Sequence, residues 1–158
     1  TTARIMVKAN GNVFFDISNN NFAITAPVIF TITAGANANG SISPSGAVSV
    51  ASGANQTFTI SPNPCFQIAS VLVDGVNNPA AVSSGTFTFT NVTAAHTIQA
   101  SFSPITYAIT ATASSNGSIS PSGINSVNCG SNQTYTITPN FGFSVFDVIV
   151  DGISIGKQ

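Results

Sequence analysis

The chain has 158 residues, room for one or two domains, with three cations, four anions and only 4% charged residues in all, against about a quarter in an ordinary soluble domain. Without a basic patch there is nothing to neutralise phosphate or an anionic lipid surface, which argues against nucleic-acid binding and polybasic membrane anchoring. No apolar run approaches the roughly 18 residues of a spanning helix. Thr, Ser and Asn supply the polarity instead, 43% of the residues are hydrophobic, and a net charge of −1 favours association over dispersal.

Residues 1–29 are expected to hold three short strands. Ala3–Ala9 alternates in part, Asn10-Gly11 is a strong turn pair, and Val13–Ser18 and Phe22–Thr25 follow on either side of Asn19-Asn20-Asn21. Pro27 closes the segment. Three strands of this length cannot enclose a sizeable core by themselves.

From residue 30 the pattern is clearer. Phe30, Ile32 and Ala34 alternate with threonines. Ser41-Ile42-Ser43 is a short strand stopped by Pro44 and turned by Ser45-Gly46. Thr57–Ile60 is a period-two strand. Phe66–Val73 is the longest strand candidate and runs into Asp74-Gly75, a pair suited to a two-residue hairpin because both positions take positive φ. Phe87, Phe89 and Val92, followed by Ile98, Ala100 and Phe102, predict a second hairpin around Ala94-Ala95. No ten-residue window shows a 3.6-residue period built from helix formers. The expected fold is therefore all-β, with short antiparallel strands in a small sandwich-like unit and no significant helix.

The octapeptide Asn39–Gly46 returns as Asn116–Gly123, an offset of 77 residues. Without a gap, residues 30–81 and 107–158 are identical at 27 of 52 positions. This is a tandem repeat. It divides the chain into a strand-bearing segment (1–29), a first repeat (30–106) and a second repeat (107–158). The second repeat has no counterpart to Val82–Thr106.

Two resemblances follow from these residues. Ala3–Ile24, with its "ARIMV" and "FFDISNNNF", resembles the last strands of the immunoglobulin-like domain that follows the catalytic domain in some secreted bacterial zinc metallopeptidases. The zinc-binding helix signature of those enzymes is absent, and the chain has one His. Residues 30–158 resemble the divergent internalin-type B-repeat, through Asn-Gly-Ser-Ile-Ser-Pro-Ser-Gly, Gln-Thr-(Phe/Tyr)-Thr-Ile, Val-Asp-Gly, Phe89-Thr-Asn-Val-Thr93 and His96-Thr97-Ile98. That resemblance implies a bacterial secreted or cell-surface repeat used for display, spacing or adhesion, with no catalytic residues to carry over. It also implies that some copies hold both cysteines of an internal bridge.

The candidate chemistry is sparse. Cys65 and Cys129 fall at non-equivalent repeat positions, opposite Gly142 and Ser52. A bridge between them, within or between chains, would staple neighbouring repeats and fit an oxidising compartment. The alternative is two buried free thiols. His96 lacks a second His or a carboxylate nearby in sequence and reads as a structural turn residue rather than a metal ligand or base. Asp74 and Asp151 read as turn residues. Asp147 and Asp151 alone give little support for calcium, and no metal or cofactor is expected. Gly152–Gly156 matches Gly-x-Ser-x-Gly, but a nucleophile elbow needs a helix after it and a triad needs a placed acid and His, so the match reads as chance. Asn39, Asn55, Asn91, Asn116 and Asn132 open Asn-x-Ser/Thr sequons and are candidate glycosylation sites in a host with the machinery.

The expected role is structural rather than enzymatic: an extracellular spacer, stalk or filament segment. The second reading is an accessory module of a secreted metallopeptidase that binds a surface or polysaccharide. Strands without a host at one end, and a repeat lacking strands at the other, suit head-to-tail strand complementation between copies. They also suit a piece of a longer polypeptide.

Overall fold

The computed structural model describes residues 26–157 in full and, before them, the backbone of four short strands. These are β1 (Thr2–Ala3), β2 (Met6–Lys8), β3 (Phe15–Ile17) and β4 (Phe22–Ala23). β1 pairs with β4 and β2 with β3, both antiparallel, so the pairings nest as in one hairpin. The expected three strands are thus four pieces. The resemblance of residues 3–24 to an immunoglobulin-like domain rests on side chains outside the described residues.

The first repeat forms two facing sheets. Its elements are β5 (Ile29–Ala36), β6 (Gly40–Ser43), β7 (Gly46–Ala51), β8 (Gln56–Pro62), β9 (Phe66–Val73), β10 (Val76–Asn77), α1 (Pro79–Ser84), β11 (Thr86–Phe89) and β12 (His96–Pro104). One sheet has the order β10-β9-β12-β5-β7 and the other β11-β8-β6. Alternation decides which residues meet between them. Ile32, Ala34 and Val50 from the first sheet, with Val71, Ile98 and Ala100, face Ile42, Phe58, Ile60 and Phe89 from the second. Phe58 and Ile98 are fully buried, and each such side chain stabilises the unit by about 1.5–3 kcal/mol. Phe58 meets Phe89 edge-on at 6.0 Å.

The turns behave as their residues dictate. Asp74 and Gly75 have φ of 48° and 80°, joining β9 to β10 with Val73 opposite Val76. On the solvent faces, hydroxyl pairs take the place that ion pairs hold elsewhere. Thr57 Oγ1 bonds Thr88 Oγ1 at 2.9 Å, and Ser70 Oγ bonds Ser101 Oγ.

One expectation is corrected. The strands around Ala94-Ala95 do not form a hairpin. β11 pairs antiparallel with β8, while β12 crosses to the other sheet and inserts between β9 (antiparallel) and β5 (parallel). The insertion satisfies both edges of β12 and puts Ile98 at the centre of the core, which a local hairpin would not do. The fold is all-β with no significant helix, as expected, and its single short helix among the described residues is α1. Asn78 Oδ1 accepts from Ala81 N–H at 3.0 Å, Pro79 opens the first turn, and Gly85 closes the helix in the left-handed conformation. Its Ala81 plugs the core between β9 and β11.

The second repeat contains β13 (Thr106–Ala111), β14 (Gly117–Ser120), β15 (Gly123–Asn128), β16 (Thr136–Pro139), β17 (Val148–Val150) and β18 (Ile153–Gly156). β13 pairs with β15, β14 with β16, and β17 with β18. Thr106↔Asn128, Gly117↔Pro139 and Val150↔Ile153 are the pairs Ile29↔Ala51, Gly40↔Pro62 and Val73↔Val76 displaced by one repeat. Among the described residues no strand stands between β13 and β17, the place that β12 holds between β5 and β9 in the first repeat.

Candidate functional site

Two features of this framework stand apart from simple packing: the junction between repeats and the open face of the second one. At the junction, β12 and β13 are separated by a single residue, Ile105, so one extended run serves both repeats. β9 ends its pairing at Pro104↔Phe66, and β15 at Thr106↔Asn128. Cys65 and Cys129 therefore both oppose Ile105. Ile105 N–H donates to Cys65 O at 2.8 Å, and Cys129 N–H donates to Ile105 O at 2.9 Å. In a strand the N–H and C=O of one residue point to the same edge, so β9 and β15 meet end to end there.

The sulfurs are bonded at 2.06 Å, with Cα atoms 5.3 Å apart and a sequence separation of 64, and neither cysteine is free. The bridge runs from the start of β9 in one repeat to the end of the β7-like strand in the next. That is why the cysteines occupy non-equivalent repeat positions. Cys65 sits at φ 65°, where its counterpart Gly142 sits at φ 83°. A side chain in that conformation costs about 1 kcal/mol, and the covalent link holds it there. The entrance to the first repeat has the same backbone geometry without a bridge: Ser52 N–H donates to Val28 O at 2.8 Å, the counterpart of Cys129 to Ile105.

The open face of the second repeat is a cavity of about 910 Å³. Its lining includes Ile109, Ala111, Ile119, Tyr135, Ile137 and Val148. These are the counterparts of Ile32, Ala34, Ile42, Phe58, Ile60 and Val71, all buried core residues of the first repeat. The Tyr135 hydroxyl is buried there without a hydrogen-bond partner. Around it, Phe143, Ile149, Val150 and Ile153 are about half exposed or more.

In the first repeat a carboxylate marks where β12 enters its slot. Asp74 Oδ1 accepts from Thr97 N–H at 2.7 Å, and Asp74 Oδ2 lies 2.7 Å from His96 Nδ1. Asp74 N–H also donates to Thr97 O at 3.0 Å. Burial pushes the Asp74 carboxyl up, but the Thr97 N–H and His96 outweigh it and hold it below its ordinary value. The His96 ring also lies 4.8 Å from that of Phe89. His96 is thus a strand residue with a carboxylate partner, not a turn residue, and Asp74 does more than form a turn. The two are 22 positions apart, so only the β9–β12 pairing reveals them. Asp151, the counterpart of Asp74, also has a left-handed φ, 51°, at the mouth of the open slot, and among the described residues no hydrogen bond to its carboxylate is seen.

The remaining candidates are dispersed. Ser154 lies within β18, paired with Ile149, and its Oγ donates to Asp147 Oδ1 at 2.7 Å. The Gly-x-Ser-x-Gly match is therefore part of a strand and not an elbow. Among the described residues no group of three His, Cys, Asp or Glu side chains gathers to hold a metal. The five sequon asparagines are all solvent-exposed. Asn55 joins another of them through its side chain, Oδ1 accepting from Asn91 N–H at 2.8 Å.

The geometry defines a tandem-repeat β module with a covalently latched junction. Residues 30–106 match the model of the family described as the divergent InlB B-repeat domain, and residues 107–158 are similar to them at the level of sequence, pairing and register. No curated protein and no solved structure matches the chain.

Proposed function

We propose that the chain is a structural segment of an extracellular bacterial surface or secreted protein. It acts as a spacer or stalk whose repeats are joined in line and which associates with neighbouring repeats or further copies. The observation that supports this reading is the junction at Ile105, where one extended run passes between repeats and a disulfide ties the strands beside it. A bridge across a junction resists both bending and extension, and it suits an oxidising compartment. Low charge and a net charge near zero suit association.

The test is mechanical. The chain, tethered at both termini, is stretched with the bridge intact and after reduction. The bridge withholds its 64-residue loop from extension, about 210–230 Å at roughly 3.3–3.6 Å per residue. The oxidised chain should stop short by that length. Equal contour lengths, or free thiols in protein recovered from an oxidising compartment, would refute the latch and with it the stalk.

One observation favours a second reading, an accessory module that binds a polysaccharide or surface. Phe141 and Phe146 are almost wholly exposed, and their counterparts Pro64 and Ala69 are exposed in the first repeat too. Exposed aromatic rings are platforms for sugar faces. Loss of polysaccharide retention in Phe141→Ala/Phe146→Ala would support this reading, and the absence of any retention by the intact chain would dismiss it.

A further inference from the structure

We infer that Asn39 is a modification site, where the side-chain amide is lost to attack by the backbone nitrogen of Gly40 and a carboxylate appears in its place near the junction. Asn116, one repeat on, is its second occurrence. The reaction needs water and no other partner, and it does not rest on the reading of the chain as a stalk.

The fold fixes both residues of the pair. Asn39 ends the turn before β6 at φ 76°, a left-handed conformation that asparagine tolerates better than most residues with a side chain. Gly40 lies beneath the Phe102 ring, which a Cβ would overlap. At the second occurrence a Cβ on Gly117 would stand 3.1 Å from Thr138 O. Packing therefore holds the residue after each asparagine to glycine. Glycine in turn puts no side chain between the asparagine amide and the nitrogen that follows it.

The register leaves that nitrogen free of the ladder. Asn63 N–H donates to Asn39 O at 3.0 Å, so Asn39 and Asn63 are the hydrogen-bonded pair that opens the pairing of β6 with β8. Bonded and non-bonded pairs alternate, which makes Gly40↔Pro62 a non-bonded pair. Gly40 N–H thus points away from β8, and β6 is the last strand of its sheet. The second repeat has the same arrangement. Asn140 N–H donates to Asn116 O at 3.0 Å, and Gly117 pairs with Pro139. Both asparagines are exposed.

In the reaction the Gly40 nitrogen bonds to Asn39 Cγ, the Cγ–Nδ2 bond breaks, and the amide leaves as ammonia with the Gly40 proton. Water then opens the resulting succinimide ring at either carbonyl. Opening at Cγ leaves aspartate, and opening at the main-chain carbonyl leaves isoaspartate. Each outcome adds one negative charge to a chain whose net charge is −1. Isoaspartate also routes the backbone through Cγ and takes the carbonyl that Asn63 N–H bonds out of the main chain. Asn63 O accepts from Phe66 N–H at 3.0 Å, closing the turn that carries Cys65, so the change reaches the foot of the bridge.

The intact oxidised chain is aged in mildly alkaline buffer beside a synthetic peptide of residues 35–45, and both are mapped by mass spectrometry. Asn39 and Asn116 should exchange NH2 for OH, in aspartyl and isoaspartyl forms, while Asn55 and Asn132, which precede glutamine, stay unchanged. Asn39→Gln should remove the change at that position and leave the one at Asn116. A nitrogen tied into a ladder would react only in opened molecules, so the rate at Asn39 should lie within about tenfold of the free peptide, and protection of roughly a hundredfold or more would overturn the site. Amide exchange at Asn63 should rise about two- to tenfold in isoaspartyl molecules, the loss of one backbone hydrogen bond, and not in freshly prepared Asn39→Asp, which carries the charge alone. Unchanged exchange in the aged chain would overturn the effect on the turn that carries Cys65.

Discussion

Phe58 and Tyr135 are the same repeat position in two environments, and truncating each measures what the open face costs the second repeat. Phe58 is fully buried, edge-on to Phe89, and enclosed by both sheets. Phe58→Ala removes the ring's transfer energy and leaves a cavity the sheets cannot collapse into, a loss of about 3–5 kcal/mol. Tyr135 is half-buried on the wall of an existing cavity and carries a buried hydroxyl without a partner. Tyr135→Ala gives up less buried area, creates no new enclosed void and relieves an unsatisfied hydroxyl that costs about 1–3 kcal/mol. Its net effect should be no more than about 1 kcal/mol. Native-state hydrogen exchange read by mass spectrometry resolves the copies separately, which one unfolding curve for two repeats does not. Phe58→Ala should raise exchange in β5, β8 and β12 by two to three orders of magnitude, and Tyr135→Ala should change β13 and β16 by less than about tenfold. Equal losses at the two positions would refute the assignment of one closed and one open core.

Three other outcomes are expected. The lowered Asp74 carboxyl contributes stability that is complete above its ordinary value of 3.8 and lost as pH falls through its lower folded value. The first repeat should therefore loosen as pH falls below about 4, by less than about 1 kcal/mol because the pair is partly exposed, and Asp74→Asn should flatten that dependence in urea titrations. Asn78→Ala removes the α1 cap and should cost about 1 kcal/mol, seen as a lower urea midpoint and faster exchange at Ala81. Cys129→Ser opens a 64-residue loop and should destabilise the chain by up to about 4 kcal/mol in the chain-entropy account, measured by urea unfolding without reductant. An unchanged midpoint would mean the bridge orients the repeats without stabilising them.

Much of this molecule is written in short-range patterns. Alternating Phe, Ile and Val against Thr and Ser specify strands, Asp74-Gly75 specifies its hairpin, and the 77-residue recurrence specifies that whatever one repeat does locally the other repeats. Even α1 had its signals, an Asn-Pro start and a Gly end, outweighed by a six-residue length too short for a periodic pattern. What lay beyond the sequence was the choice of partners across distance. β12 could satisfy its backbone beside β11 or between β9 and β5, and only burial of Ile98 against both sheets selects the second. The Asp74–His96 pair, the meeting of Cys65 and Cys129 at Ile105 and the slot beside Asp151 all follow from that one insertion. Periodicity records which side of a strand is apolar. Which strand lies beside it is decided by the summed packing and hydrogen bonding of the whole sheet, and that sum exists only in three dimensions.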